Sequence, residues 1–167
     1  ACYTTSTTRT DREIDGSTLA ESRYPHGVLR VVLPKGSLEK ATLELFEAAD
    51  LPVNRSSSVD YQATIDDPRI ESVRILRPQE IPTYVQDGFF ELGITGQDWI
   101  AETEADVEVL TALRYAKSGT GHGTKIVLAV PGDHPANSAK EMPANSEIST
   151  EFRGVTERYF ADLGIPV

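Results

Sequence analysis

The sequence predicts an α/β fold built on a parallel or mixed sheet. Short β-branched apolar runs alternate along the chain with stretches whose apolar residues repeat at helical spacing. Each early run ends in a glycine- or proline-bearing turn that leads directly into such a stretch. Strand, turn and helix therefore recur in the order of half a βαβ unit.

The first run, Val28-Leu29-Arg30-Val31-Val32-Leu33, has the near-continuous apolar character of a strand covered on both faces. Pro34-Lys35-Gly36-Ser37 interrupts it, and Leu38, Ala41, Thr42, Leu45, Phe46 and Ala49 then share one helical face, with Ser37 as the expected N-cap. Residues 54–67 are polar and predict a loop that closes on the turn Asp66-Asp67-Pro68. Val73-Arg74-Ile75-Leu76 predicts a second strand. Arg77-Pro78-Gln79-Glu80 leads into a helix with Pro82 in its first turn and its end at Asp87-Gly88. Glu91-Leu92-Gly93-Ile94-Thr95 predicts a third strand, and Gly96-Gln97-Asp98 opens a helix through Trp99 and Ile100. Residues 107–110, 125–130 and 147–150 are further strand candidates, the first two separated by a glycine-rich loop at 117–123. Val155, Tyr159, Phe160 and Leu163 mark a last helix, ended by Gly164.

Length and charge narrow the function classes. The 167 residues fit one ordinary domain or two small lobes, and 39% apolar with 25% charged residues is a globular composition. Sixteen Lys and Arg against 26 Asp and Glu give a net charge of -10, which argues against a polyanion-coating surface and hence against nucleic acid as partner. No apolar run approaches the length that crosses a bilayer, so no membrane partner is expected. The single cysteine, Cys2, can form no internal disulfide and has no zinc-site spacing around it. These features predict a cytoplasmic protein. The Thr- and Ser-rich start lacks both hydrophobic periodicity and the apolar middle of a secretory signal, and residues 1–27 are expected to form a poorly ordered tail. At the other end, Gly164-Ile165-Pro166-Val167 resembles a helix terminator followed by the opening of a strand, which predicts a piece of a longer gene product.

Chemistry concentrates at three strand-to-helix junctions: Lys35-Gly36-Ser37, Arg77-Pro78-Gln79 and Thr95-Gly96-Gln97-Asp98. In open α/β sheets ligands sit beyond the carboxyl ends of the strands, where loop amides and helix starts converge. Lys35 and Arg77 would bring two cations to that edge, and Gly36 and Gly96 would let backbone N–H groups approach an anion. Each junction alone is more often an ordinary turn; their coincidence at three successive junctions brings the reading of a phosphorylated small molecule level with that one. Other constellations are missing. There is no Gly-x-Ser-x-Gly elbow, no Walker loop and no Gly-x-Gly-x-x-Gly. His26, His122 and His134 are scattered through loops, Trp99 and Phe46 are expected in the core, and Asp66-Asp67 reads as a turn rather than a metal pair. No protein-held metal is expected.

Read in order, Leu33-Pro34-Lys35-Gly36-Ser37-Leu38, Leu76-Arg77-Pro78-Gln79-Glu80-Ile81-Pro82, and Asp87-Gly88 with Glu91-Leu92-Gly93-Ile94-Thr95-Gly96-Gln97-Asp98-Trp99 resemble the ATP phosphoribosyltransferases, which open histidine biosynthesis. Leu128-Ala129-Val130-Pro131 and Ser149-Thr150-Glu151-Phe152, with Val155-Thr156-Glu157-Arg158-Tyr159-Phe160, resemble the same family's second lobe. The match runs over about 28–167, and its most specific part is the block from Asp87-Gly88 to Asp98.

The resemblance implies a two-lobed, periplasmic-binding-protein-like fold with mixed sheets: a first lobe at 28–110 and an incomplete second lobe at 111–167. It implies ATP and phosphoribosyl pyrophosphate as substrates, Mg2+ carried on their phosphate oxygens, and a homo-oligomer at full length. Lys35 and Arg77 would be the catalytic cations; Gly36, Thr95, Gly96, Asp98, Thr150 and Glu151 would bind substrate. For Asp98 two roles stay open, acceptor for a ribose hydroxyl (or orienter of a neighbouring cation) and N-cap of its own helix. Two departures stand out. Phe152-Arg153-Gly154 replaces the family's frequent Tyr-Pro-Asn, and the family's phosphate loop would lie beyond Val167, so these residues alone are expected to be nearly inactive. The rival reading is a solute-binding or ligand-sensing module of the same fold, since fold alone does not fix function.

Overall fold

A computed structural model describes residues 27–113 and 125–167. All but the last residue of the expected tail, and the whole glycine-rich loop at 117–123, lie outside the described residues.

The first run forms the centre of the sheet. Strand β1 (Leu29–Pro34) pairs in parallel with β3 (Ile70–Leu76) on one side and with β4 (Leu92–Gly93) on the other. A short β2 (Gln62–Ala63) adds antiparallel to β3, so the four-stranded sheet is mixed, in the order β2-β3-β1-β4. The chain thus places β3 on one side of β1 and then crosses to place β4 on the other. This is the topology in which a crevice opens at the strands' carboxyl ends.

Both faces of β1 are buried, as its continuous apolar pattern requires. Val31 and Leu33 join Ala63, Ile65, Val73 and Ile75 in one core, against which Phe46 of helix α1 (Glu39–Ala48) packs. Val32, wholly buried, faces the opposite side. There helix α2 (Ile81–Gln86) lies so close to β4 that a Cβ on Gly93 would stand 2.7 Å from Ile81 Cγ2 and 2.9 Å from Val85 Cγ2. Glycine is required at Gly93 by this approach of helix to strand.

Several expectations need correction. Ser37 is not an N-cap: Gly36–Leu38 forms a 3-10 turn ahead of α1, and the cap position falls on Leu38, which makes no side-chain cap bond. The polar residues around it are otherwise engaged, for the Thr42 hydroxyl donates to the Leu38 carbonyl at 2.8 Å and the Glu39 carboxylate receives the Gly36 N–H. Leu45 is 37% exposed, because α1 turns Thr42 and Phe46 to the sheet instead. The stretch at 54–67 is more than a loop. Asn54 and Thr64 exchange N–H···O bonds of 2.8 Å, and Ala63 and Ile65, two apolar residues at strand spacing in a polar context, are buried.

The strand candidates at 107–110, 125–130 and 147–150 form no ladder among the described residues. A strand needs a neighbour for its backbone groups. Local bonds take their place: Val107 N–H turns back to the Ala105 carbonyl, Asp106 N–H donates to the Gln86 side chain, and Phe152 N–H donates to Thr150 Oγ1 at 2.9 Å.

The described residues after 124 are anchored through one helix. Helix α4 (Arg153–Asp162) packs on α3 (Gln97–Thr103), with Phe152 stacked on Trp99 at 4.5 Å between ring centroids. Phe152 offers no cap, and the Glu102 carboxylate supplies one from α3, accepting Gly154 N–H at 2.7 Å and Val155 N–H at 2.9 Å. Arg158 adds a bridge to Glu104 at 3.1 Å and donates to the Ala101 carbonyl. Among the described residues no helix is long and apolar enough to cross a membrane.

Candidate active site

Because β3, β1 and β4 are parallel neighbours, their carboxyl ends share one edge of the sheet. The three predicted junctions therefore meet. Lys35 N–H donates to the Leu76 carbonyl at 2.7 Å, joining the first junction to the second. The Thr95 hydroxyl donates to the Pro78 carbonyl at 2.7 Å, joining the third to the second. Lys35, Gly36, Arg77, Thr95, Gly96 and Asp98 are thus brought to a single rim.

Among the described residues neither Lys35 nor Arg77 enters an ion pair. Lys35 is half-buried and Arg77 exposed. The Lys35 ammonium lies 4.2 Å from the centroid of the Tyr61 ring. Two cations outside any ion pair, at the ends of the neighbouring strands β1 and β3, give this edge a local attraction for anions on an acidic chain.

Gly36 has φ +83°, a left-handed conformation that glycine adopts without a Cβ penalty. Its N–H donates to Glu39 Oε2 at 3.2 Å, and the other Glu39 oxygen pairs with Arg55, whose side chain is 14% exposed. Burial raises the Glu39 pKa, but the hydrogen bonds from Arg55 and from Gly36 N–H, with the charges of Arg55 and Lys35, outweigh it and hold the carboxylate below its ordinary range. An anion arriving at Gly36 N–H would therefore replace an ionised carboxylate already seated there.

Gly96 differs. Its backbone is extended, and a Cβ there would fall 2.0 Å from Asp98 Oδ1, so a larger residue would turn that carboxylate away. The same oxygen accepts Trp99 N–H at 3.0 Å. Asp98 is not the N-cap of α3; that position is Gly96, and Asp98 sits in the first turn, where its charge suits the helix start. A carboxylate against Gly96 disfavours a phosphate at that spot and favours a hydroxyl donor.

Thr150 and Glu151 directly precede Phe152, whose ring stacks on Trp99, the residue after Asp98 of the rim. Both are exposed just before α4, and Thr150 lines a shallow cavity of about 210 Å³ with Arg153 and Thr156. Their region joins the rest of the chain through Glu102, Trp99 and Arg158, and none of the rim residues lines that cavity. Sequence reasoning missed Tyr61, Glu39 and Arg55. Tyr61 and Arg55 sit in a polar stretch with no strand signal, and only the pairing of β2 with β3 brings Tyr61 beside Lys35. Among the described residues no group of three or more His, Cys, Asp or Glu could hold a metal ion.

The family model described as HisG, ATP phosphoribosyltransferase, matches residues 77–167. The ATP phosphoribosyltransferase of Koribacter versatilis is 44% identical over 139 residues, covering 83% of this chain and 47% of the relative. That of Methanococcoides burtonii is 42% identical over 141 residues, covering 84% and 47%. The chain thus spans about half the length of these relatives, 47% in each case. A solved ATP phosphoribosyl transferase (HisG:HisZ) complex from Thermotoga maritima superposes with TM-score 0.50 at 23% identity, covering 84% of this chain and 64% of that one, a likeness of fold. With its family model matched over residues 77–167, this chain belongs to the ATP phosphoribosyltransferase family.

Proposed function

We propose that the protein acts as an ATP phosphoribosyltransferase, joining phosphoribosyl pyrophosphate to N1 of ATP at the first step of histidine biosynthesis. The observation that carries this reading is the meeting of Lys35, Gly36, Arg77 and Thr95 at one sheet edge in a chain of this family. In the reaction the adenine N1 lone pair forms a bond to the ribose anomeric carbon, the bond from that carbon to the pyrophosphate oxygen breaks, and pyrophosphate leaves with the electron pair. Charge grows on the leaving oxygens, so fixed cations aimed at them lower the barrier more than they stabilise the ground state. Lys35 and Arg77 take that role, with Gly36 N–H joining once Glu39 yields.

Asp98 accepts a ribose hydroxyl. Thr95 fixes the rim rather than binding phosphate through its proton, because that proton is given to Pro78. Thr150 and Glu151 approach the nucleotide from a second lobe of a periplasmic-binding-protein-like fold. Magnesium, when bound, neutralises polyphosphate charge; the donor set fits an ion held on substrate oxygens, since the rim offers cations and amides rather than a carboxylate cage. The whole enzyme is expected to be a cytoplasmic homo-oligomer.

Isothermal titration with ATP and with a panel of free amino acids tests this reading. Binding of ATP but not of the amino acids supports it. Amino-acid binding without nucleotide binding contradicts it and favours a ligand-sensing module.

A further inference from the structure

The Lys35 side chain has an unusual partner for a half-buried cation. No carboxylate lies within ion-pair distance among the described residues; its ammonium rests on the face of Tyr61, 4.2 Å from the ring centroid. Both residues are fixed to the same strand from opposite sides. Tyr61 accepts Ile75 N–H at 3.0 Å through its backbone carbonyl, and Lys35 N–H donates to the Leu76 carbonyl at 2.7 Å. The Asp60 carboxylate, accepting Gln62 N–H at 2.9 Å, sets the turn on which Tyr61 stands. The contact therefore spans the carboxyl end of β3, immediately before Arg77.

We infer that Tyr61 is the positioning residue for Lys35, holding its ammonium across the end of β3 by a cation–π contact. This rests on the phosphate-binding reading of the rim. The choice of an aromatic face has a chemical consequence. A carboxylate would also fix the ammonium, but it would cancel the charge and occupy its N–H donors. The negative face of a ring attracts the cation and leaves its net charge for an incoming anion. With Tyr61 52% exposed, the contact is open to solvent, which sets its strength at the lower end for such pairs. Losing it frees a four-carbon stem to sample many rotamers, so the cost appears as weaker anion binding rather than loss of fold.

The test is a titration of the 15N-labelled 167-residue protein with inorganic pyrophosphate to millimolar concentration, followed at the Gly36 amide. Tyr61 is replaced by Phe and then by phenylalanines carrying one, two and three ring fluorines. Fluorination keeps the ring's shape while draining its negative face. Tyr61→Phe should hold the dissociation constant within about twofold, and the trifluorinated ring should raise it by about two- to fivefold, stepwise along the series. A flat series, with Lys35→Met still losing affinity, overturns the role of Tyr61 and leaves the rim reading intact. Absence of any pyrophosphate response in the unaltered protein, matched by Lys35→Met, overturns the rim reading and the role of Tyr61 with it.

Discussion

The residues before 114 and those after 124 are built from similar apolar material yet reach different structures. In the first region Val31, Leu33, Val73 and Ile75 are almost wholly inaccessible, each on a strand with a neighbour on at least one side. In the second, Ile126, Val127, Leu128 and Val130 are 39–74% exposed and form no ladder among the described residues. Sequence patterns report what a segment can bury; pairing decides whether it does. The first region has a central strand to recruit partners. Among its described residues the second has one α-helix, α4, capped and stacked from α3, and a 3-10 turn at Ala139–Glu141.

The largest effect should come from repeating one kind of truncation in both regions. Ile75→Ala, at 0% exposure, should cost about 2–5 kcal/mol in urea unfolding. Val127→Ala, at 74% exposure, should stay within about 0.5 kcal/mol. Equal losses would mean that 125–130 is packed in solution. Next in size, Gly93→Ala should cost about 1–3 kcal/mol, because the added methyl meets Ile81 and Val85 and must push α2 from the sheet. A neutral result would show that α2 shifts freely.

Glu102→Ala should cost about 0.5–2 kcal/mol as a lost cap, and hydrogen exchange should locate the loss in α4 while β1 and β3 keep their protection. Uniform loss would make the two regions one cooperative unit.

The smallest effects are acid-dependent. Hydrogen bonds from Arg69 hold the Asp67 carboxyl at about 2. Those from Arg30 hold Glu91 below the usual carboxylate range. Groups whose folded pKa is depressed stabilise the fold above their unfolded values, near 4, and lose that contribution as pH falls through the folded ones. Stability should thus decline below about pH 4, and for Asp67 chiefly between about 4 and 2. Asp67→Asn and Glu91→Gln should each flatten that decline. Both pairs belong to the first region, so the exchange protection of α4 should depend less on pH.

Legibility followed the same division. β1 was readable because burial on both faces leaves a continuous apolar run, and β3 and β4 because a short apolar run ends in a turn that opens a helix. The three junctions were readable for the same reason, and the sheet order then placed them together. β2 was hidden, since it is two residues long and Ala63, with Ile65 just beyond it, is buried within a polar stretch. Tyr61 was hidden with it, because its partner Lys35 is remote in sequence and meets it only across β3. The closeness of Gly96 to Asp98 was hidden, because it is a contact within one turn that composition cannot show. Strands at 107–110, 125–130 and 147–150 were over-predicted from propensity, which carries no information on whether a partner is present.

The central claim is that anionic substrate meets the sheet edge of the first region. Residue-resolved amide shifts on adding ATP to the labelled protein test it most directly. Shifts should gather at residues 35–36, 77–80 and 95–98 and be diminished together by Lys35→Met and Arg77→Met. Shifts confined to α4 and its cavity, or unchanged by those substitutions, would contradict it.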